Sequence, residues 1–288
     1  MLGTAVAAVA LAAAHAAPGA SAPLWIVFSA QPNGLGAAQL FRVQTTGAGL
    51  EQITTGTQPA TDPAFSPDGT KVVFARLSSG IFRVNLDGSG LHRLTSGSRD
   101  TYPVWSPDAK HIAFIRIYKA QWRLYVMSAS GAGQKRLRLA PPAGRPTWTR
   151  DSKSILIPDS GSVTKVDART GRVQTRYRAE IDPVDSQAAT VSPDISRVAF
   201  VGTRAPTGPP DCGESHCPAF ALYVSKLSGK RQKITNDTGP AGWAPDGKTI
   251  VFVARGVLTI NVIGGGKTTI HAGPHVPSGD APPAWQPR

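Results

Sequence analysis

Phe65-Ser66-Pro67-Asp68-Gly69, followed by the apolar run Val72-Val73-Phe74, is the stretch whose recurrence decides the fold. Versions of it return as Trp105-Ser106-Pro107-Asp108-Ala109, Trp148-Thr149-Arg150-Asp151-Ser152, Val191-Ser192-Pro193-Asp194-Ile195 and Trp243-Ala244-Pro245-Asp246-Gly247. A truncated copy, Trp285-Gln286-Pro287-Arg288, stands at the C-terminal end. The aspartates are spaced by 40, 43, 43 and 52 residues. Self-similarity at this period is the mark of a propeller or solenoid array. Within the phrase, Pro presets φ for a tight turn, Asp bonds back to the backbone and Gly accepts positive φ.

Six residues after each Asp stands one apolar position, held by Phe74, Phe114, Ile157, Phe200 and Phe252. The runs leading to it read as buried strands. A third strand follows, as in Ile81-Phe82-Arg83-Val84, and then a Gly-bearing hairpin into a fourth, Leu91-His92-Arg93-Leu94-Thr95. Four antiparallel strands make one propeller blade. Residues 40–54 match residues 81–95 at seven of fifteen positions, so the region before the first phrase is also a blade, lacking only its first strand. Phe28 takes the place of Phe74 there. The C-terminal copy supplies what is missing: Pro283-Ala284-Trp285-Gln286 is expected to form the inner strand of the first blade. The expectation is an all-β, six-bladed β-propeller closed by its C-terminal strand, which removes open sheet edges. The phrase aromatics and aspartates read as core and turn residues.

Residues 1–22 read as a secretory signal, with the small apolar run Ala5 to Ala14 and an Ala20-Ser21-Ala22 cleavage pattern, although no Lys or Arg precedes the run. The run is too short to cross a bilayer. Residues 23–288 then form the propeller, about 44 residues per blade. An exported protein, periplasmic or extracellular and monomeric, is expected, with no transmembrane segment in the mature chain. Cys212 and Cys217 fall in a lengthened loop of blade 5. In an exported chain they are expected to form a disulfide. The competing reading is a metal site with His216; structural zinc wants four ligands and no second Cys/His cluster is visible, so no metal and no cofactor is expected.

The formal net charge is +13. Much of it falls on the fourth strands of blades 3 to 5, including Lys135, Arg136, Arg172, Arg176, Lys230 and Arg231. Long cations protect strand edges and keep a protein soluble; the functional alternative is a basic sector facing an anionic envelope component. No basic–aromatic interleaving of the base-stacking kind is evident, so no nucleic acid is expected. Neither a Gly-x-Ser-x-Gly elbow nor a phosphate loop occurs. His271 and His275 form the one close histidine pair, in a Gly- and Pro-rich stretch, and read as inert.

The turn phrases and Gly hairpins share one face of the ring. The other face carries the irregular segments, including Tyr118 to Trp122, and the blade entries Asp62, Asp100, Tyr102, Arg145 and Asp280, which are the candidate binding residues. Asp100 and Asp280 each stand three residues before the Pro of their repeat.

Pro63-Ala64-Phe65-Ser66-Pro67-Asp68-Gly69, Pro103-Val104-Trp105-Ser106-Pro107-Asp108 and Gly242-Trp243-Ala244-Pro245-Asp246-Gly247 resemble the repeat of the TolB-like six-bladed propellers, as do the Ile53-Thr54 and Leu94-Thr95 strand endings. The resemblance covers about residues 24–288; blades 4 and 5 depart from it at Thr149-Arg150 and Val191. It implies an envelope propeller that works with envelope proteins. The repeat is specific for fold and occurs in several functional settings. The functional expectation is an exported, non-catalytic propeller that binds a protein or envelope component through its irregular face. The alternative is a polysaccharide-acting enzyme, a lyase or glycosidase, with its site at the channel mouth.

Overall fold

A computed structural model describes residues 24–76, 78–97, 99–138, 144–159, 161–179, 181, 189–203, 220–227, 229–236, 240–254, 257–263, 265–271, 275–277 and 281–287. Residues 1–22, read above as a signal, and Cys212, His216, Cys217 and Asp280 lie outside the described residues.

Six antiparallel sheets are present, one per repeat. Blade 2 shows the pattern: Ala60–Phe65, Lys71–Arg76, Gly80–Asn85 and His92–Arg93 run in order from the inner to the outer edge. Each second strand begins a few residues past its turn phrase and buries its fixed apolar residue: Phe28, Phe74, Phe114, Phe200 and Phe252 are at most 1% exposed, and Ile157 is 2%. Full burial of one such side chain stabilises by about 1.5–3 kcal/mol.

The turn phrase is a local clamp. Ser66 Oγ donates to Asp68 Oδ1 (2.5 Å), Asp68 Oδ1 accepts the Thr70 N–H (3.0 Å), and Ser66 Oγ accepts the Lys71 N–H (2.9 Å). Ser106/Asp108, Thr149/Asp151 and Ser192/Asp194 repeat the hydroxyl–carboxylate bond. In blade 6 alanine replaces the hydroxyl residue, and Asp246 instead takes the N–H and hydroxyl of Thr249. The fifth position of each of the five full copies is left-handed, with φ between 57° and 69° at Gly69, Ala109, Ser152, Ile195 and Gly247.

Six hydrophobic clusters fill the six interfaces between neighbouring blades. One of them joins Ile26, Phe28 and Phe41 of blade 1 to Val251, Leu258 and Ile270 of blade 6, so the last blade packs on the first. The inner edge of blade 1 is covered by two C-terminal pieces. Ala284–Trp285 pairs with Ile26 and Val27, and Val276–Pro277 pairs with Ala30 and Gln31. The Gln286 N–H donates to the Trp25 carbonyl at 2.9 Å. Blade 6 accommodates this strand through a missing side chain: a Cβ on Gly242 would fall 1.8 Å from the Pro283 carbonyl oxygen.

Candidate functional site

Among the described residues, the inner strands of blades 2 and 3 carry a register slip that the other inner strands do not show. Their pairing with the second strand slips between Thr61 and Ala64 and between Thr101 and Val104. The residues inside these bulges, Asp62 (φ 54°) and Tyr102 (φ 53°), are left-handed. Each immediately precedes a proline, which ordinarily holds its predecessor extended. Non-glycine residues in this region store about 1–3 kcal/mol apiece and gather at functional sites. A bulge re-aims its side chain.

Both side chains are re-aimed at the channel. In blade 4 the corresponding residue is Arg145, again directly before a proline. The three meet. Arg145 Nη1 donates to Asp62 Oδ1 at 2.6 Å, and the two side chains are only 9% and 7% exposed. The guanidinium carbon lies 4.0 Å from the centre of the Tyr102 ring, a cation–π contact. Thr101 Oγ1 donates to Asp62 Oδ2 at 2.7 Å, and Thr61 Oγ1 to the same oxygen at 3.2 Å. Burial pushes the Tyr102 hydroxyl pKa up, with Arg145 opposing it.

The cluster lines a cavity of about 250 Å³ on the ring axis, together with Thr190, Trp243 and Trp285. The sequence holds Ala188, Pro240 and Pro282 at the equivalent repeat position of the other three blades. Among the described residues the cavity wall is charged on the Asp62–Arg145 side and carries no charged residue on the other. The indole N–H groups of Trp148 and Trp243 donate to the carbonyls of Val104 and Thr190 in the preceding blades, which makes them structural.

A ridge rises beside the cluster. Blade 3 extends its central hairpin to eight residues per strand, His111–Tyr118 and Gln121–Ser128, where blade 2 uses six. The two extra residues stand at the irregular-face end and lift the turn about 7 Å. Lys119 and Ala120 close it with positive φ at both positions, the geometry that fits a two-residue hairpin. Trp122 packs on Tyr102 with ring centres 5.4 Å apart. Tyr118 is 49% exposed, with the Arg123 guanidinium 4.5 Å from its ring centre. Trp122 thus continues the channel cluster along one face of the hairpin, while Tyr118 and Arg123 pair on its other face.

Asp100 does not join this surface. Its carboxylate is fully buried, takes both a 2.6 Å and a 2.7 Å bond from Arg116, and accepts the Thr95 hydroxyl. That bond holds the Arg116 guanidinium above its ordinary pKa. Because Thr95 ends blade 2, Asp100 fastens blade 3 to blade 2 and faces away from the channel. Asp280 lies outside the described residues. His275 docks on blade 1, accepting the Asn33 N–H at 3.1 Å with its ring 4.3 Å from Phe41. Among the described residues no group of three or more His, Cys, Asp or Glu could hold a metal. Sequence reading found Asp62, Tyr102 and Arg145 singly; their shared place directly before the repeat proline was the signal that unites them.

Residues 23–152 match the family model of the TolB beta propeller domain. That stretch carries TolB-like propeller repeats. The crystal structure of TolB from Acinetobacter baumannii superposes with a TM-score of 0.71 at 18% identity, covering 92% of this chain and 67% of that one. The structure of a putative TolB from Agrobacterium tumefaciens gives 0.54 at 19% identity, covering 79% of this chain and 88% of that one. Among curated proteins, an uncharacterized peptidase, YuxL of Bacillus subtilis (strain 168), is 29% identical over 214 residues. That match takes in 68% of this chain and 29% of the peptidase, so the chain spans less than a third of that relative's length. The TolB-like match covers the bulged blades 2 and 3 and reaches the blade 4 turn phrase.

Proposed function

We propose that this TolB-like propeller is an exported, non-catalytic module that binds a protein partner of the cell envelope through its irregular face. The observation that carries the reading is the one-sided channel mouth. Three successive blades place Asp62, Tyr102 and Arg145 at one repeat position, two of them on strained backbone, and the Tyr118–Trp122 ridge continues them outward. Tyr, Trp and Arg are the residue types that anchor protein interfaces. Among the described residues that line the cavity Asp62 is the one carboxylate and no histidine is present, so the buried ion pair supplies orientation. No helix of the described residues is long and apolar enough to cross a membrane.

The test is affinity capture from an envelope fraction by the wild-type chain and by Tyr118→Ala/Arg123→Ala, whose side chains are on the surface ridge. A partner held by the wild type and lost by the variant supports the reading; equal retention refutes it.

The peptidase relative favours a second reading, in which the propeller filters or positions substrate for peptide hydrolysis. A screen on peptides and polysaccharides separates the two. Robust turnover by the purified chain, abolished by Arg145→Met, would sink the non-catalytic reading.

A further inference from the structure

The second large cavity is on the opposite face, among the turn phrases, wedged between blades 3 and 4. It measures about 630 Å³. Its walls come from the start of the blade 3 second strand, the blade 3 hairpin, the blade 4 turn phrase and the blade 4 hairpin. From this cavity we infer a site for a small molecule that carries an anionic head on a planar apolar body. It is separate from the channel mouth.

Local departures from the repeat open the space. In blades 1, 2, 3 and 6 the hairpin between third and fourth strands closes from residue i to i+4: Gln44 to Ala48, Asn85 to Ser89, Ser128 to Ala132 and Val262 to Gly266. In blade 4 it closes from Asp167 to Arg172, one residue longer, and the pairing beside it slips between Lys165 and Val166. The position held by Lys71, Ser154, Arg197 and Thr249 in blades 2, 4, 5 and 6 carries a ring in blades 1 and 3, Trp25 and His111. The His111 and Trp148 rings lie 6.3 Å apart at 30° and form one wall. The edges are bridged: Lys135 Nζ donates to the Arg169 carbonyl at 3.0 Å, and the Asp108 N–H donates to Ser152 Oγ at 3.0 Å. The cavity is therefore held open by bonds between the two blades.

Cations outnumber acids on its lining. Lys135, Lys153 and Arg169 border it, all exposed, and none has a carboxylate within ion-pair distance among the described residues. The one acid on the lining, Asp167, is turned back into its own hairpin, where Oδ1 accepts the Thr170 N–H and hydroxyl at 2.7 Å each and the Arg169 N–H at 3.1 Å. Val126, Met127 and Ala168 make the interior apolar. A cationic rim over an apolar, ring-walled interior complements a ligand with a negative head and a flat apolar body. Ligand sites combine such an apolar lining with a few placed polar groups, and charge-assisted contacts set the orientation.

The test is isothermal titration calorimetry of the full chain with 2-naphthyl phosphate, 2-naphthol and inorganic phosphate. The expected result is saturable one-to-one binding of 2-naphthyl phosphate, at least about tenfold tighter than either fragment. Lys153→Glu/Arg169→Glu, with both side chains exposed, is expected to keep the parent melting temperature and to weaken that binding at least about tenfold. If the charge-reversed chain misfolds, Lys153→Gln/Arg169→Gln is read in its place with the same expectation. Tyr118→Ala, on the other face, should bind like the parent. Absence of saturable binding, equal binding of either fragment, or unchanged affinity in the Lys153/Arg169 variants overturns the proposal.

Discussion

Replacing Asp62 with Asn tests whether the channel cluster acts as one buried unit. Across 2.6 Å the attraction between Arg145 and Asp62 is about 6 kcal/mol at an effective dielectric constant of about 20. Removing two charges from water takes back several kcal/mol per ion, so the intact pair contributes little net stability. Removing one charge is different, because the guanidinium stays buried after losing its carboxylate; such changes cost about 3–5 kcal/mol. Asp62→Asn is expected to lose about 3 kcal/mol, the lower end, since Arg145 keeps its contact with the Tyr102 ring. For a chain of this size that is a fall in melting temperature of roughly 6–12 °C. Arg145→Met leaves an unpaired carboxylate still held by the Thr101 and Thr61 hydroxyls and should cost less. The double variant should recover most of the loss, giving a coupling of about 1.5–3 kcal/mol in a double-mutant cycle from urea unfolding. A coupling below about 0.5 kcal/mol would refute the cluster as a unit.

Deleting residues 283–288 removes the Trp285 and Gln286 contacts to blade 1 and should lower the melting temperature of the whole ring; a truncation that melts like the parent refutes closure through this strand. Ala109→Gly should raise stability by about 0.5–1 kcal/mol, because relief of the left-handed backbone outweighs the added freedom of the unfolded chain; a lower urea midpoint would count against it. Asp68 and Asp151 titrate below the usual 3.8, first because the Ser66 and Thr149 hydroxyls donate to them. With the folded pKa depressed, their contribution is present above the unfolded value and lost as pH falls through the folded one. Urea midpoints should therefore drop below about pH 4, and Ser66→Ala should flatten that drop; an unchanged slope argues against the clamp.

The blade count, the strand order within each blade and the buried Phe series were legible because they are periodic. A residue that recurs at a fixed offset from a turn meets the same neighbours in every blade, so one reading serves all copies. The turn aspartates were legible for the same reason, since their partners lie two or three residues away. The direction of Asp100 was not legible, because it depends on Arg116, sixteen residues on. The bulges at Asp62 and Tyr102 were not legible, since a register slip depends on the partner strand, which the local sequence does not name.

The sequence by itself determined a six-bladed propeller, because repetition is a property of one dimension. Only the tertiary structure decided which residues act together. Arg145 reaches Asp62 across 83 positions, and the cavity between blades 3 and 4 joins a hairpin, a turn and a ring from separate repeats. Ring closure brings the same repeat position of different blades to one axis, and it is there that non-repeating chemistry becomes a site.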